Sequence, residues 1–354
     1  MLRLISCHLS SFSKALNTLR SKPHELLQYI ATQRPRGALD EDDAHALARS
    51  GSILIQAGAH KWGDSRMVAE FREALRSAVL TNDCNLAARI ALTLALGGWR
   101  DADTLKKVHA VLMARTNSKS LCTVAFAYGT LDWAEGFQWV IETIRSGPSN
   151  TFDSEMVSRL ASTLVNFGSL RQKNLVQAWL TNWTLANMDK LNPEQMVSIL
   201  HCIGGPLPGS QELSVIAGSL DGRLSVSSLI KLLYVYRDDS EVLEIVAQQL
   251  HTAKTLQSQL MTAALLALSS STLPSQAKVL RGRLLAQIAK NGADLKVCVA
   301  ALWCIGQSEL LGVAWTSAFC RQVLEGVRLL SANELVRVVH AIALFSEKSG
   351  SFMI

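Results

Sequence analysis

Asn192-Pro193-Glu194-Gln195-Met196-Val197-Ser198-Ile199-Leu200-His201-Cys202-Ile203-Gly204 is the stretch from which the fold can be read. The side-chain oxygen of Asn192 accepts from the free N–H groups of a first helical turn. Pro193 has the fixed φ and missing N–H that suit the first helical position, and Gln195 stands where its side chain reaches back to the cap. Met196 and Leu200 then fall one turn apart on a single face, and Gly204 follows where a left-handed closing residue favours glycine. A start, a face and a stop are all present.

The same arrangement recurs along the chain. Expected helix starts precede an apolar anchor by four positions at Asp43 with Leu47, Asn82 with Leu86, Asn117 with Leu121, Phe152 with Met156, Asn192 with Met196, Ser225 with Leu229, Leu256 with Leu260, Asn291 with Leu295 and Ser331 with Leu335. Phe152 and Leu256 follow Thr151 and Thr255, which supply the capping hydroxyl one residue earlier, and Ser331 with Glu334 has the form of a capping box. The 288 residues from Asp43 to Ser331 make eight intervals of 36 residues, the length of a helical hairpin. One turn beyond each anchor stands Gly51, Ile90, Ala125, Leu160, Leu200, Leu233, Ala264, Val299 or Val339, always small or apolar, as helix-to-helix contact requires. Glycines at 98, 129, 168, 204 and 306 are placed to close helices.

Second helices fall between, at 67–79, 104–113, 137–144, 174–186, 212–219, 241–250, 277–289 and 315–330, the fifth made irregular by the preceding Gly204-Gly205-Pro206-Leu207-Pro208-Gly209. The expected fold is all-α, an α-solenoid of about nine helical hairpins in which each repeat touches its neighbours. A solenoid body over 37–354 follows a distinct segment, 1–36. The last first-type helix, 334–345, presents Leu335, Val338, Val339, Ile342 and Leu344 with no second helix after it. Either another protein docks there or 346–354 folds back over it.

Charge separates the two parts. The chain carries a formal net charge of +6. Residues 1–36 hold Arg3, Lys14, Arg20, Lys22, Arg34 and Arg36 against Glu25 alone, so the body is nearly neutral and a global electrostatic case for nucleic acid fails. The first 24 residues are basic, serine-rich, acid-free and weakly amphipathic, the composition of a mitochondrial targeting segment, although an ordinary N-terminal helix has the same look. The longest uncharged apolar runs, 90–99 and 297–306, are too short to cross a bilayer. Seven dispersed cysteines without a C-x-x-C pair read as reduced core residues.

Catalytic motifs are missing: there is no phosphate loop, no G-x-G-x-x-G, no H-E-x-x-H and no G-x-S-x-G, and the expectation is a non-enzyme with no cofactor or metal. His201 beside Cys202 points its side chain to a different face, and Asp40-Glu41-Asp42-Asp43 suits a helix N-terminus better than an ion. The tryptophans sit mostly at helix ends or within apolar periodicity and read as packing residues.

Binding is sought on the face formed by equivalent positions of successive helices. Two residues beyond each anchor the column reads Arg49, Ala88, Thr123, Ser158, Ser198, Lys231, Thr262, Val297 and Arg337. Hydroxyls and cations at the repeat spacing suit a groove that tracks a single RNA strand, and they equally suit the solvated side of an amphipathic helix. With their neighbours Arg89, Arg159, Arg237 and Lys296 for phosphates and Tyr234 and His340 for base stacking, they give the candidate set Arg49, Arg89, Ser158, Arg159, Ser198, Lys231, Tyr234, Arg237, Thr262, Lys296, Arg337 and His340. Lys278, Arg281, Arg283 and Lys290 make the most basic stretch outside the N-terminus.

Hairpin length and lines such as Ser331-Ala332-Asn333-Glu334-Leu335-Val336-Arg337-Val338-Val339-His340-Ala341-Ile342 resemble the organellar helical-hairpin repeat proteins, which include pentatricopeptide, octotricopeptide and FAST-kinase-type heptatricopeptide repeats. The resemblance spans 43–345. The periodic proline of pentatricopeptide repeats is missing, as is a C-terminal RAP-type domain, so no base-reading code carries over. It implies a mitochondrial matrix protein of RNA metabolism, either an RNA-processing factor or a subunit of a ribosome or other ribonucleoprotein, with single-stranded RNA and other protein subunits as partners. The near-neutral body leans toward a subunit held partly by protein contacts. The competing reading is a protein–protein scaffold of tetratricopeptide or HEAT character without RNA contact.

Overall fold

The computed structural model describes residues 11–33, 39–58, 65–79, 83–147, 151–210, 212–217, 220, 224–252, 256–270, 272–308 and 315–349. Among them the regular structure is helical throughout, with no strand. The chain divides into two compact units, Met1–Trp183 and Thr184–Ile354.

In the first unit the helices are α1 (Ser11–Thr18), α2 (Pro23–Gln33), α3 (Glu41–Gln56), α4 (Ser65–Ala78), α5 (Cys84–Leu96), α6 (Ala102–Ala114), α7 (Ser118–Thr130), α8 (Ala134–Ser146), α9 (Ser154–Phe167) and α10 (Leu170–Ala186), the last running three residues past the boundary. First helices pack on first helices, α1 on α3, α3 on α5, α5 on α7 and α7 on α9, while α4, α6 and α8 make at most marginal contact with one another. The close side is lined with small residues. A Cβ on Gly51 would lie 2.5 Å from the Thr93 methyl of α5, and one on Gly129 would lie 2.7 Å from Phe167 of α9. The N-terminal segment joins this stack, burying Phe12 and Leu16 from α1 and Leu26, Leu27 and Ile30 from α2.

The second unit holds α11 (Pro193–Ile203), α12 (Leu213–Ala217), α13 (Val226–Val235), α14 (Ser240–Thr252), α15 (Ser258–Ala267), α16 (Ser275–Asn291), α17 (Leu295–Gln307), α18 (Trp315–Glu325) and α19 (Ala332–Ser349). Again α11, α13, α15, α17 and α19 pack in series, and here α14, α16 and α18 do so as well. The irregularity expected after Gly204 is present: Gly204 takes φ 84°, Gly209 takes φ 79°, and the second helix shrinks to α12. Its place is fixed by Glu212, fully buried, which accepts from the Leu207 N–H at 3.2 Å and the Tyr236 hydroxyl at 2.8 Å.

The helix starts correct the sequence reading in detail. Asn117, Asn192, Ser225 and Ser331 cap as expected, the first two and Ser331 in reciprocal capping boxes. The caps of α3, α9 and α17 are Asp40, Asp153 and Asp294 in place of Asp43, Thr151 and Asn291. A carboxylate stood within three residues in each case, and periodicity alone does not choose between neighbouring acceptors. Asn291 instead ends α16, with Gly292 at φ 72° after it. The cap of α5 is Asp83, and α15 starts after Gln257 with no side-chain cap; Asn82 and Thr255 lie outside the described residues.

The anchors Leu47, Leu86, Leu121, Met196 and Leu229 are buried, and Met156, Leu260, Leu295 and Leu335 half-buried. The residues one turn further on are all buried except Val339, which is 66% exposed on α19. Gly306, expected to close a helix, lies inside α17 because α19 crosses there; a Cβ on it would come 3.2 Å from the Ala341 Cα. Gly129 is likewise internal, and Gly168 closes α9 in an extended conformation. Residues 346–349 continue α19, and the rest of the tail lies outside the described residues. No helix among the described residues is long and apolar enough to cross a membrane.

Replacing Asn192 or Asp294 with alanine removes a cap and lowers stability by about 1 kcal/mol, whereas Asn291→Ala costs only a few tenths. Amide hydrogen exchange in the first turns of α11 and α17 separates the three variants.

Candidate nucleic-acid interface

In the first unit the exposed sides of α5, α7 and α9 enclose two adjoining cavities. One, of about 640 Å³, is lined by Asn85, Ala88, Arg89, Leu92, Asn117, Ser118, Lys119, Ser120, Thr123 and Met156. The other, of about 590 Å³, shares Leu92, Lys119, Thr123 and Met156 and adds Phe126, Ser158, Arg159, Ser162 and Asn166 among others. Four of the shared or flanking positions, Ala88, Thr123, Ser158 and Met156, belong to the anchor or polar columns, so the repeat spacing itself builds the groove.

Its walls are ordered by the same caps that start the helices. The Asn117 amide donates to Asn85 Oδ1 at 3.2 Å while its oxygen accepts from Ser120 N–H at 2.8 Å, and Ser118 Oγ donates to the Thr151 carbonyl at 2.6 Å. Arg89 and Lys119 are exposed. Arg159 pairs with Glu155 at 2.5 Å, and Asp153 stands nearby, so the positive character of the groove is strongest at its α5–α7 end. Arg49, half-buried on α3, continues that end: burial, then the charges of Arg20 and Arg89, push its guanidinium below the ordinary arginine value, with Asp42 opposing. Burial pushes the Cys122 thiol up to about 12, so this groove-wall cysteine stays protonated and offers no nucleophile.

The candidates of the second unit fare differently. Ser198 and Lys231 meet, Lys231 Nζ donating to Ser198 Oγ at 3.1 Å, and both are buried or half-buried. Burial lowers the Lys231 pKa and Glu194 opposes it. This cation therefore joins α11 to α13 and is only partly available to a ligand. Thr262 Oγ1 donates to the Ser258 carbonyl of its own helix at 2.9 Å. Tyr234 packs against His201 with ring centroids 5.7 Å apart, and Arg337 is near enough for its charge to act on the Tyr234 phenol. His340 lies 5.1 Å from Trp303 at 34°, exposed on one side. Lys296 and Arg337 both act on Glu334, while Arg237 faces Asp238 at 3.5 Å with both side chains mostly in solvent.

Sequence reasoning passed over Asn85, Asn117, Lys119 and Phe126. A signal for Phe126 existed: it follows Thr123 by three residues, as His201 follows Ser198, Tyr234 follows Lys231 and His340 follows Arg337, a ring one turn beyond the polar column in four repeats. The basic second helix α16 turns out to be structural in part. Arg281 is buried and donates to the Ser270 carbonyl at 2.9 Å, and Arg283 donates to the last carbonyls of α14, those of His251 and Leu250. The one group among the described residues that would offer three metal ligands is Glu41, His45 and Asp83, whose ligand atoms lie within 4.8 Å of one another. His45 Nε2 is already 2.8 Å from Asp83 Oδ2, and Asp83 Oδ1 caps α5.

The tryptophans pack as expected where they are described. Trp133 and Trp139 lie edge-on to His109 at 5.3 and 4.9 Å, and Trp183 is 3% exposed. No protein-family model matches the chain, and no curated protein matches it significantly in sequence.

Glu194 shows how the first helices are tied in the second unit. It accepts from the Ser225 N–H at 2.6 Å and from the Ser228 hydroxyl, at the start of α13. Burial raises its pKa, but these bonds outweigh that and leave it below the ordinary carboxylate value. A lowered carboxylate stabilises the fold above its unfolded value of about 4.3, and the contribution is lost as pH falls through the lowered one. In thermal melts across that acid range, Glu194→Gln should lower Tm at neutral pH and weaken its fall on acidification.

Proposed function

We propose that each unit is a run of α-solenoid hairpins whose first-helix side carries single-stranded RNA. On this reading the chain is a non-enzymatic, RNA-associated protein of the mitochondrial matrix, a processing factor or a ribonucleoprotein subunit. The observation that carries the reading is the double cavity over α5, α7 and α9. There Arg89 and Lys119 stand free of ion pairs among the described residues, beside amide and hydroxyl groups and one aromatic ring. Cations tracking a backbone, with a ring for a base and uncharged polar groups between, are the parts from which single-strand grooves are built. The basic, serine-rich start of the chain and its likeness to organellar hairpin repeats support the compartment.

A second reading, a protein-binding scaffold of tetratricopeptide or HEAT character, draws on one specific observation in the second unit. Leu324, Leu329, Val336 and Val339 on or beside α18 and α19 are between 63% and 83% exposed. An exposed apolar face of this kind favours docking to another protein subunit. The two readings are compatible if the chain is one subunit of a ribonucleoprotein.

Titrating the full chain with a fluorescent single-stranded RNA over a range of salt separates them. Binding should weaken steeply with salt, and Arg89→Ala and Lys119→Ala should each reduce the slope of log affinity on log salt by about 0.7. No binding even at low salt would leave the scaffold reading standing alone.

A further inference from the structure

The first turns of α3 and the start of α5 bring together three side chains of metal-ligating type. Glu41 and His45 stand four residues apart on α3, and so on one face of it, while Asp83 caps α5, which packs on α3. One ligand atom from each, two carboxylate oxygens and a ring nitrogen, lies within 4.8 Å of the other two. Two of the neighbouring acids have other tasks: Asp40 caps α3, and Asp43 accepts from the Ser13 N–H at 3.0 Å. The exposed Glu41 carboxylate forms no ion pair among the described residues.

Asp83 divides its two oxygens between tasks. Oδ1 accepts from the Asn85 N–H at 2.8 Å and the Leu86 N–H at 3.4 Å, which orients the carboxylate and leaves Oδ2 turned to His45 Nε2 at 2.8 Å. Hydrogen bonds that fix a carboxylate in this way are what a metal ligand needs behind it. Nitrogen and oxygen at that distance are joined by a ring proton or by a cation. A proton needs only those two atoms, whereas a third donor beside them, from Glu41, suits a cation. Around a tetrahedral zinc with bonds of about 2.0–2.1 Å, ligand atoms lie about 3.4 Å apart. His45 and Asp83 therefore open by about 0.6 Å, and the exposed Glu41 side chain closes by at most about 1.4 Å. The two helix N-termini oppose a cation with about half a positive charge each, which the full charges of two carboxylates exceed. One imidazole with two carboxylates suits zinc or another divalent transition ion, while magnesium and calcium favour oxygen alone.

We propose that Glu41, His45 and Asp83 form a binding site for one divalent transition-metal ion of the zinc type, with water completing the coordination on the exposed side. The ion ties the start of α3 to the cap of α5 and so clamps two successive first helices of the first unit. The inference is independent of the RNA reading and stands whether or not RNA binds.

Calorimetric titration of the chelator-stripped full chain with zinc chloride at neutral pH tests the site, with magnesium chloride and calcium chloride as controls. One zinc ion per chain should bind more tightly than either control ion and raise the Tm. Asp83→Asn keeps a capping side chain on α5, and His45→Gln keeps a good helix former on α3, so both variants should fold without the ion. Each should weaken that zinc binding at least about tenfold and remove the rise in Tm. Glu41→Gln, at an exposed position, should weaken it as well and keeps the test open should either of the others fold poorly. Zinc held with unchanged affinity by Asp83→Asn, His45→Gln and Glu41→Gln overturns the proposal, because the ion then sits on other groups. Failure of the unaltered chain to bind zinc overturns it too. Magnesium or calcium binding as tightly as zinc overturns the assignment to a transition-metal ion.

Discussion

Close approach of one first helix to the next is the constraint on which each unit depends. At Gly51 against Thr93, Gly129 against Phe167 and Gly306 against Ala341 there is no room for a side chain, and each pair joins successive first helices, α3 with α5, α7 with α9 and α17 with α19. Alanines at 87, 91, 125, 161, 264 and 301 continue the small, buried side of these helices. In the first unit α2 packs on α4 but α4, α6 and α8 barely meet, so from α4 to α8 packing is tight among the first helices and loose among the second. The apolar surface buried along the tight side supplies the stabilisation, and losing a leucine there would cost about 2–5 kcal/mol.

Such tight packing settles where polar groups can go. Residues two beyond each anchor cannot be fully solvated: all nine are buried or half-buried, at the margin between neighbouring first helices. A hydroxyl there bonds within its own helix, as Thr123 does to the Lys119 carbonyl and Thr262 to that of Ser258. A cation there either finds a partner across the seam, as Lys231 does on Ser198, or stands without an ion pair among the described residues, as Arg49 does. In the second unit Lys231 thereby joins α11 to α13.

The helical class, the order of first and second helices and most of their extents were legible, because apolar residues at 3.6-residue spacing behind short polar caps suit a helix and suit neither a strand nor a loop. The stretch at 174–186 became α10 and that at 277–289 lies inside α16. Cap identity was less legible wherever several acceptors stand together: in Asp40-Glu41-Asp42-Asp43 all four acids suit a first turn, and Asp40 caps because its backbone is extended at ψ 169°. The glycines at 129 and 306 misled for a physical reason, since a glycine that ends a helix and one that admits a neighbouring helix look alike in sequence. The candidate site was legible as a column but not as a cavity. The spacing alone picks out Arg89, Ser158 and Arg159, while Asn85 and Asn117 enter because caps of adjacent hairpins meet, a contact across 32 residues that no local pattern announces.

Ligand contact on the first helices of the first unit is the proposition to which the groove, its cations and its caps all lead. Hydrogen–deuterium exchange of the full chain with and without saturating single-stranded RNA measures it most directly. Added protection is expected at the starts of α5, α7 and α9 and around Arg49, with α6 and α8 unchanged. Protection confined to α6 and α8, or to α18 and α19 alone, would contradict it.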